Sequence, residues 1–394
     1  MKRENSTLFL LILLGMLTAF GPFVTDMYLP TFPSMAAYFH TNSSMIQLGL
    51  TSSMIGLAIG QLFFGPLSDR YGRRPPLLIA MILFIVSTVF CIFSRSIHEF
   101  VILRFVQGVA GSGGIVIARS IATDLYSDRE LARMMALIGA INGVAPVVAP
   151  VVGGMLTDSV GWQGIFVVLL LIGLVLLAGC IRFRESLTTP SKTGWNATFS
   201  ALTALLRNRN YICYVLQFGF AQGLLFAYIA SSPFIVQEHY GFSPLGFSLC
   251  FGVNAVGIGV GAFLSARFRR PERAMSTGST AMTILALVLC GAMWSGCGFW
   301  LYESLLLLLL FATGMVFASV TTLSMESGRA HAGMASALLG AVGFAFGGLV
   351  SPLVGIGNWL QTAGSIFAIC ALCSLLSGRM ALKEQLHKRG LFHI

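Results

Sequence analysis

Asp26 lies in the stretch GPFVTDMYLPTFP, Gly21 to Pro33, late in a long apolar segment and ahead of a second apolar run. A charged side chain deep in a bilayer costs roughly 2.5–3.5 kcal/mol on insertion scales, so a membrane carboxylate is a functional site by default and needs a partner. Arg104 is the only basic residue well inside another apolar segment, which makes it the expected partner. Gln107, Gly108 and Gly111 follow it at i+3, i+4 and i+7. They form one small, polar helix face suited to close packing or a cavity wall. Two readings stay open. In one, the pair glues two helices together. In the other, the carboxylate titrates beside an arginine that cannot itself deprotonate.

Three further constellations stand out. The loop GPLSDRYGRR sets Asp69 among Arg70, Arg73 and Arg74, with Gly65 and Gly72 on either side. Such a carboxylate could dock on a helix N-terminus, where an anion gains about 0.3–1 kcal/mol. A contact that breaks and re-forms there would act as a conformational latch. The segment ALIGAINGVAPVVAPVVGG carries Pro146 and Pro150 in mid-span, which predicts a kink, and Gly153 and Gly154 keep one side thin. Polar and aromatic residues inside other apolar runs are candidates for a central cavity: Tyr28, Gln61, Asn142, Gln217, Gln222, Phe226, Tyr228 and Asn254, with Asp26, Arg104 and Gln107.

The elements that must hold these residues follow from composition. The 394 residues are 56% hydrophobic and 10% charged, against about 25% charged in soluble proteins. The class is an all-α polytopic membrane protein. Runs of about 20 apolar residues occur twelve times, at 8–30, 44–67, 76–94, 99–121, 131–156 and 162–182, then 211–236, 243–266, 274–296, 299–321, 332–356 and 359–379. Nearly all of the 24 Lys and Arg fall on one side of such a ladder, with Arg95 on the other and Arg104 within it. That asymmetry predicts cytoplasmic termini. It also accounts for the net charge of +10 without nucleic acid.

A polar connection, 183–210, divides a six-helix bundle at 1–182 from a second at 211–380, with a tail at 381–394. The halves echo one another. Gly65, Arg73, Arg74 and Pro75 recur as Gly261, Arg269, Arg270 and Pro271, and Tyr28 to Pro33 recurs as Tyr228 to Pro233 without an acid. Parallel repeats of this kind are one plan for a transporter. The eight cysteines read as small core residues, including the Cys370–Cys373 CxxC, which has no neighbouring ligand. No metal site, cofactor motif, catalytic triad or nucleotide-binding GxxxxGK[ST] is read, so the expectation is a non-enzyme that is not driven by ATP. The basic, apolar N-terminus reads as a retained first helix.

The chain resembles the major facilitator superfamily, and more narrowly the bicyclomycin-resistance (Bcr/CflA-type) drug:proton antiporters. Gly65, Leu67, Asp69, Arg70, Gly72, Arg73 and Arg74 match the superfamily motif G-x-L-[AS]-D-R-x-G-R-[KR]. TDMYLP, Thr25 to Pro30, is similar to the helix 1 motif whose acid is a protonation and substrate site, and RFVQG, Arg104 to Gly108, to the helix 4 motif tied to proton coupling. The helix 5 antiporter motif is matched at Pro150, Gly153 and Gly154, with Ala136, Ala145 and Ala149 where glycines stand in the family. The resemblance implies alternating access between two bundles in a bacterial inner membrane, by a protein that works as a monomer. It implies export of amphipathic drugs or similar small molecules against protons, with Asp26 and Arg104 coupling the two. The alternatives are a dedicated exporter of a nucleoside, sugar or amino acid, and a proton symporter for uptake.

Overall fold

The computed structural model describes residues 5–187 and 195–388. They form α-helices joined by short turns, with no strand among the described residues. The helices are α1 (Thr7–Asp26), α2 (Phe32–Tyr38), α3 (Ser43–Tyr71), α4 (Arg74–Phe93), α5 (Ile97–Leu125), α6 (Asp128–Arg182) and α7 (Trp195–Arg207). They continue as α8 (Arg209–Phe234), α9 (Pro244–Ser265), α10 (Pro271–Trp294), α11 (Phe299–Ser327), α12 (Ala332–Val350) and α13 (Trp359–Lys388). Eleven segments are long and apolar enough to cross a membrane among the described residues.

The difference from twelve lies in α6. Its 55 residues would extend about 80 Å, more than twice the roughly 30 Å of a bilayer core. Gly161 interrupts it with φ 64° and ψ −173°, left-handed values that glycine adopts without steric cost. α6 is therefore two spans that turn at Gly161, and the ladder of twelve stands. Pro146 and Pro150 lie inside the first of these spans, but Gly161 is the residue where helical angles are lost.

The chain forms two compact units. One is Met1–Trp195 with Phe242–Leu249, and the other is Asn196–Gly241 with Cys250–Ile394. α7 lies within the connection read from sequence as polar, while residues 188–194 of that connection and 389–394 of the tail lie outside the described residues.

In each unit a reciprocal pair of glycines builds a close helix crossing. In the first, a Cβ on Gly56 would strike the Phe105 carbonyl and one on Gly108 would strike the Ser53 carbonyl. In the second, Gly261 meets the Phe311 carbonyl and Gly314 meets the Ile258 carbonyl in the same reciprocal way. Small residues let backbones approach within van der Waals contact, which is how helices associate when lipid supplies no hydrophobic drive. The α3–α5 and α9–α11 crossings thus serve as fixed points from which polar side chains are aimed.

Candidate functional site

α1 ends at Asp26, several residues before the expected limit of the first span, and the chain continues through a tight turn, Leu29–Thr31, into α2. Pro30 and Pro33 cannot donate to a continuing α-helix, so the hydrogen-bond ladder gives way to a short 3-10 turn within one apolar span, Thr7–Tyr38. Asp26 is buried where the α-helical ladder ends. Gly153 of α6 lies against it, and a Cβ there would collide with the Met27 carbonyl.

α5 is started by a capping box, in which Ser96 accepts from the Glu99 N–H and Glu99 accepts from the Ser96 N–H. Two turns on, Arg104 is fully buried and is the largest side chain in that state. Its Nη2 donates to the Val24 carbonyl at 2.9 Å, its Nη1 donates to Gln107 Oε1, and Gln107 Nε2 donates to Thr88 Oγ1 at 2.7 Å. The guanidinium lies 4.5 Å from the centre of the Tyr28 ring and 5.7 Å from that of Phe166. Aromatic faces attract cations, and desolvated pairs gain about 2 kcal/mol or more.

Sequence reading made Asp26 the partner of Arg104. The ion pairs among the described residues are instead those of Arg73 with Asp69 and Asp124, and Arg104 with Asp26 is not one of them. A backbone carbonyl, an amide and two aromatic rings hold the guanidinium, two residues along the chain from the carboxylate. Tyr28, expected to line a cavity, is fully buried in an aromatic cluster with Phe32, Phe100 and Phe166. Gln107 belongs to the Arg104 network, and Gln61 is buried elsewhere on α3. The side chain of Asn142 lies outside the described residues.

In the second unit, Tyr228 of α8 and Asn254 of α9 come together, with Asn254 Nδ2 3.3 Å from the Tyr228 hydroxyl. The same Nδ2 donates to Glu303 Oε1 of α11 at 2.8 Å. Sequence reading missed Glu303. It stands in FWLYESLLLLLLF, and the rule that singled out Asp26 applies to it, but its place near the start of the span makes it read as a flank. Gln217, Gln222 and Phe226 lie elsewhere on α8. Gln217 is buried, Gln222 lies beside Gly343, and Phe226 packs on Phe344.

The arginine-rich loop is organised around Arg73. Its Nε and Nη2 reach the two oxygens of Asp124 at 2.7 and 3.1 Å, and its Nη1 donates to Ser68 Oγ at 2.9 Å and to Asp69. Burial works against the Arg73 charge, yet hydrogen bonds and charge from Asp124 and Asp69 outweigh it and raise its pKa above the ordinary arginine value. Glu185, at the start of the connection, accepts from the backbone N–H of Arg73 and Arg74 at 2.8 and 3.0 Å. It therefore caps α4. The anion docked on a helix N-terminus is Glu185, whereas Asp69 pairs within its own loop. Gly72 turns the chain with φ 89°. Arg70 lies over Tyr71, and Arg74 Nη2 donates to the Ile181 carbonyl at 2.7 Å. Gly65 has only ordinary contact distance to Val116.

A ladder of long apolar helices, with Asp26 buried at the end of α1 and Arg104 buried inside α5, fits a polytopic membrane protein. The Major Facilitator Superfamily profile matches residues 11–352. The chain belongs to that family, whose members are transporters and not enzymes. It is 39% identical over 388 residues to the uncharacterized MFS-type transporter YdgK of Bacillus subtilis (strain 168), covering 95% of this chain and 96% of that protein. It is 28% identical to the bicyclomycin resistance protein homolog of Haemophilus influenzae, covering 99% and 100% of the two chains. The fold is shared with the xylose transporter XylE from E. coli in its partially occluded inward open conformation, at a TM-score of 0.75 and 16% identity over 95% of this chain and 97% of that one.

Proposed function

We propose that the protein is a proton-coupled exporter, a drug:H+ antiporter of the bacterial inner membrane with both termini in the cytoplasm. Its substrates in this reading are amphipathic drugs or similar small molecules, moved by a monomer in alternating access. The observation that carries it is a buried carboxylate, Asp26, two residues along the chain from the Val24 carbonyl that binds a buried arginine, which is already held by other groups. Because Arg104 is not its ion-pair partner, Asp26 can exchange a proton for substrate without first breaking a bridge. Arg104 stays charged throughout and keeps the local field positive. The sequence similarity to a bicyclomycin resistance protein homolog supports the export of drugs.

In the cycle, deprotonated Asp26 accompanies substrate capture from the cytoplasm. Protonation on the outer side then releases the substrate, and the return step carries the proton inward. Asp69, Arg70, Gly72, Arg73 and Arg74, with Gly65 at the helix end, act as the latch between states. Pro146, Pro150, Gly153 and Gly154 shape the segment against which Asp26 sits.

The test is accumulation of a labelled drug by inside-out vesicles whose lumen is acidified. Wild type should concentrate the drug, a protonophore should abolish the gradient, and Asp26→Asn should not concentrate it. Accumulation that survives in Asp26→Asn would remove Asp26 from the coupling step. Accumulation of a single nucleoside, sugar or amino acid in place of drugs would make the protein a dedicated exporter. Co-movement of substrate and proton in one direction would make it a symporter.

A further inference from the structure

Glu303 presents a problem the proposed coupling site does not solve. Its Oε1 takes the Asn254 amide at 2.8 Å, but its Oε2 is a buried atom without a hydrogen-bond donor. Asn254 Oδ1, on a residue 1% exposed, is likewise without a donor. The hydroxyl of Tyr302, a residue 0% exposed, is buried without a partner. Glu303 forms no ion pair with a described Lys, Arg or His. Around it stand aromatic rings: Tyr228 stacks on Phe251 with centroids 5.3 Å apart, and Tyr302 packs on Tyr240 at 5.5 Å.

Two unmatched acceptors and a carboxylate among aromatic faces fit one kind of ligand. A proton on Glu303 Oε2 would donate to Asn254 Oδ1 and close a neutral acid–amide pair, a state that would give no preference for a cation over a neutral probe. An organic ammonium brings several N–H donors for Glu303 Oε2 and Asn254 Oδ1, and its charge suits the ring faces. We propose that Glu303, Asn254 and Tyr228, with Tyr302 beside them, form a recognition site in the second unit for the ammonium group of a substrate. The inference rests on the reading of the protein as an exporter of amphipathic compounds, and it narrows that class to those carrying a protonated amine.

The test is equilibrium binding to the purified full chain in lipid nanodiscs, with no proton gradient. Its outcome is therefore independent of whether Asp26 couples protons. The probes are a naphthylethylammonium ion and its neutral N-acetyl derivative. Wild type should bind the ammonium more tightly by about tenfold or more, the factor carried by one hydrogen bond to a charged group. Glu303→Gln should remove that preference by weakening the ammonium alone. Asn254→Ser should reduce it, and serves if Glu303→Gln fails to fold. Glu326→Gln, an exposed acid on the same helix, should leave the preference intact. A wild type that does not prefer the ammonium, or an undiminished preference in Glu303→Gln or Asn254→Ser, would overturn the proposal. So would loss of ammonium binding on addition of millimolar sodium, which would assign the site to an inorganic cation.

Discussion

The two halves carry different electrostatic equipment on the same kind of scaffold. In each, a reciprocal pair of glycines brings two helices into backbone contact, Gly56 with Gly108 and Gly261 with Gly314. Near the first crossing lie a buried carboxylate and a buried guanidinium, which do not pair with one another. On the two helices of the second, α9 and α11, lie an amide and a carboxylate, with phenols but no ion-paired cation among the described residues. In the proposed reading, the first arrangement combines a permanent positive charge with an acid that exchanges its proton. The second leaves an acid whose missing partner can come from a ligand. Repetition fixes the helix contacts, and divergence in a handful of polar residues sets what each half does.

The largest effect should come from Asp26→Asn. Coupled export in vesicles should fall to background while membrane insertion and elution as a folded protein are unchanged. Glu303→Gln should retain the export of a neutral drug, so equal loss in both variants would erase the proposed division of roles.

Next come the crossings. Gly108→Ala and Gly314→Ala each place a methyl group against a backbone carbonyl and should each cost about 3 kcal/mol, the upper end for overpacking. Thermal unfolding of the purified variants checks this. Similar losses would confirm a shared scaffold, whereas a neutral Gly314→Ala would show that only the first crossing is close in the membrane.

Arg73→Ala strands Asp124, which is mostly buried, and should lower stability by about 2 kcal/mol through unsatisfied acceptors. Arg73→Lys should restore only part of it, because one ammonium cannot span both Asp124 oxygens as the planar fork does. Full rescue by lysine would reduce the network to simple charge. Gly72→Ala should cost about 1 kcal/mol from its left-handed backbone, and the Glu185 carboxylate would also have to shift. The same unfolding midpoint reads this smallest effect.

Much of this architecture was legible because lipid makes it so. Each span has to be long, apolar and internally hydrogen-bonded, and Asp26 and Arg104 stood out as exceptions to that rule. The end of α1 at Asp26 was not legible, since hydropathy continues through Tyr28 and Leu29 while the α-helix gives way to a 3-10 turn. Nor were the partners of Arg104. A carbonyl such as that of Val24 is present at every residue and leaves no trace in composition, and aromatic stacking needs the fold to bring Phe166 across. Asp124 and Glu185 lie about 50 and 110 residues from Arg73, as their contacts record, so the loop motif alone named the hub without its anchors. Gly161 was hidden by its surroundings, because helices on both sides of it read as separate spans whatever joins them. Glu303 was readable in principle and was missed because a charge near a span's end is usually a flank.

The most direct measurement is proton movement on addition of drug to inside-out vesicles preloaded with an acid lumen, read with a pH-sensitive dye. The account predicts that an amphipathic drug bearing a protonated amine drives protons out of the lumen in wild type, and that the same drug is silent in Asp26→Asn. Proton efflux of equal size in Asp26→Asn would contradict it and would place coupling at another group.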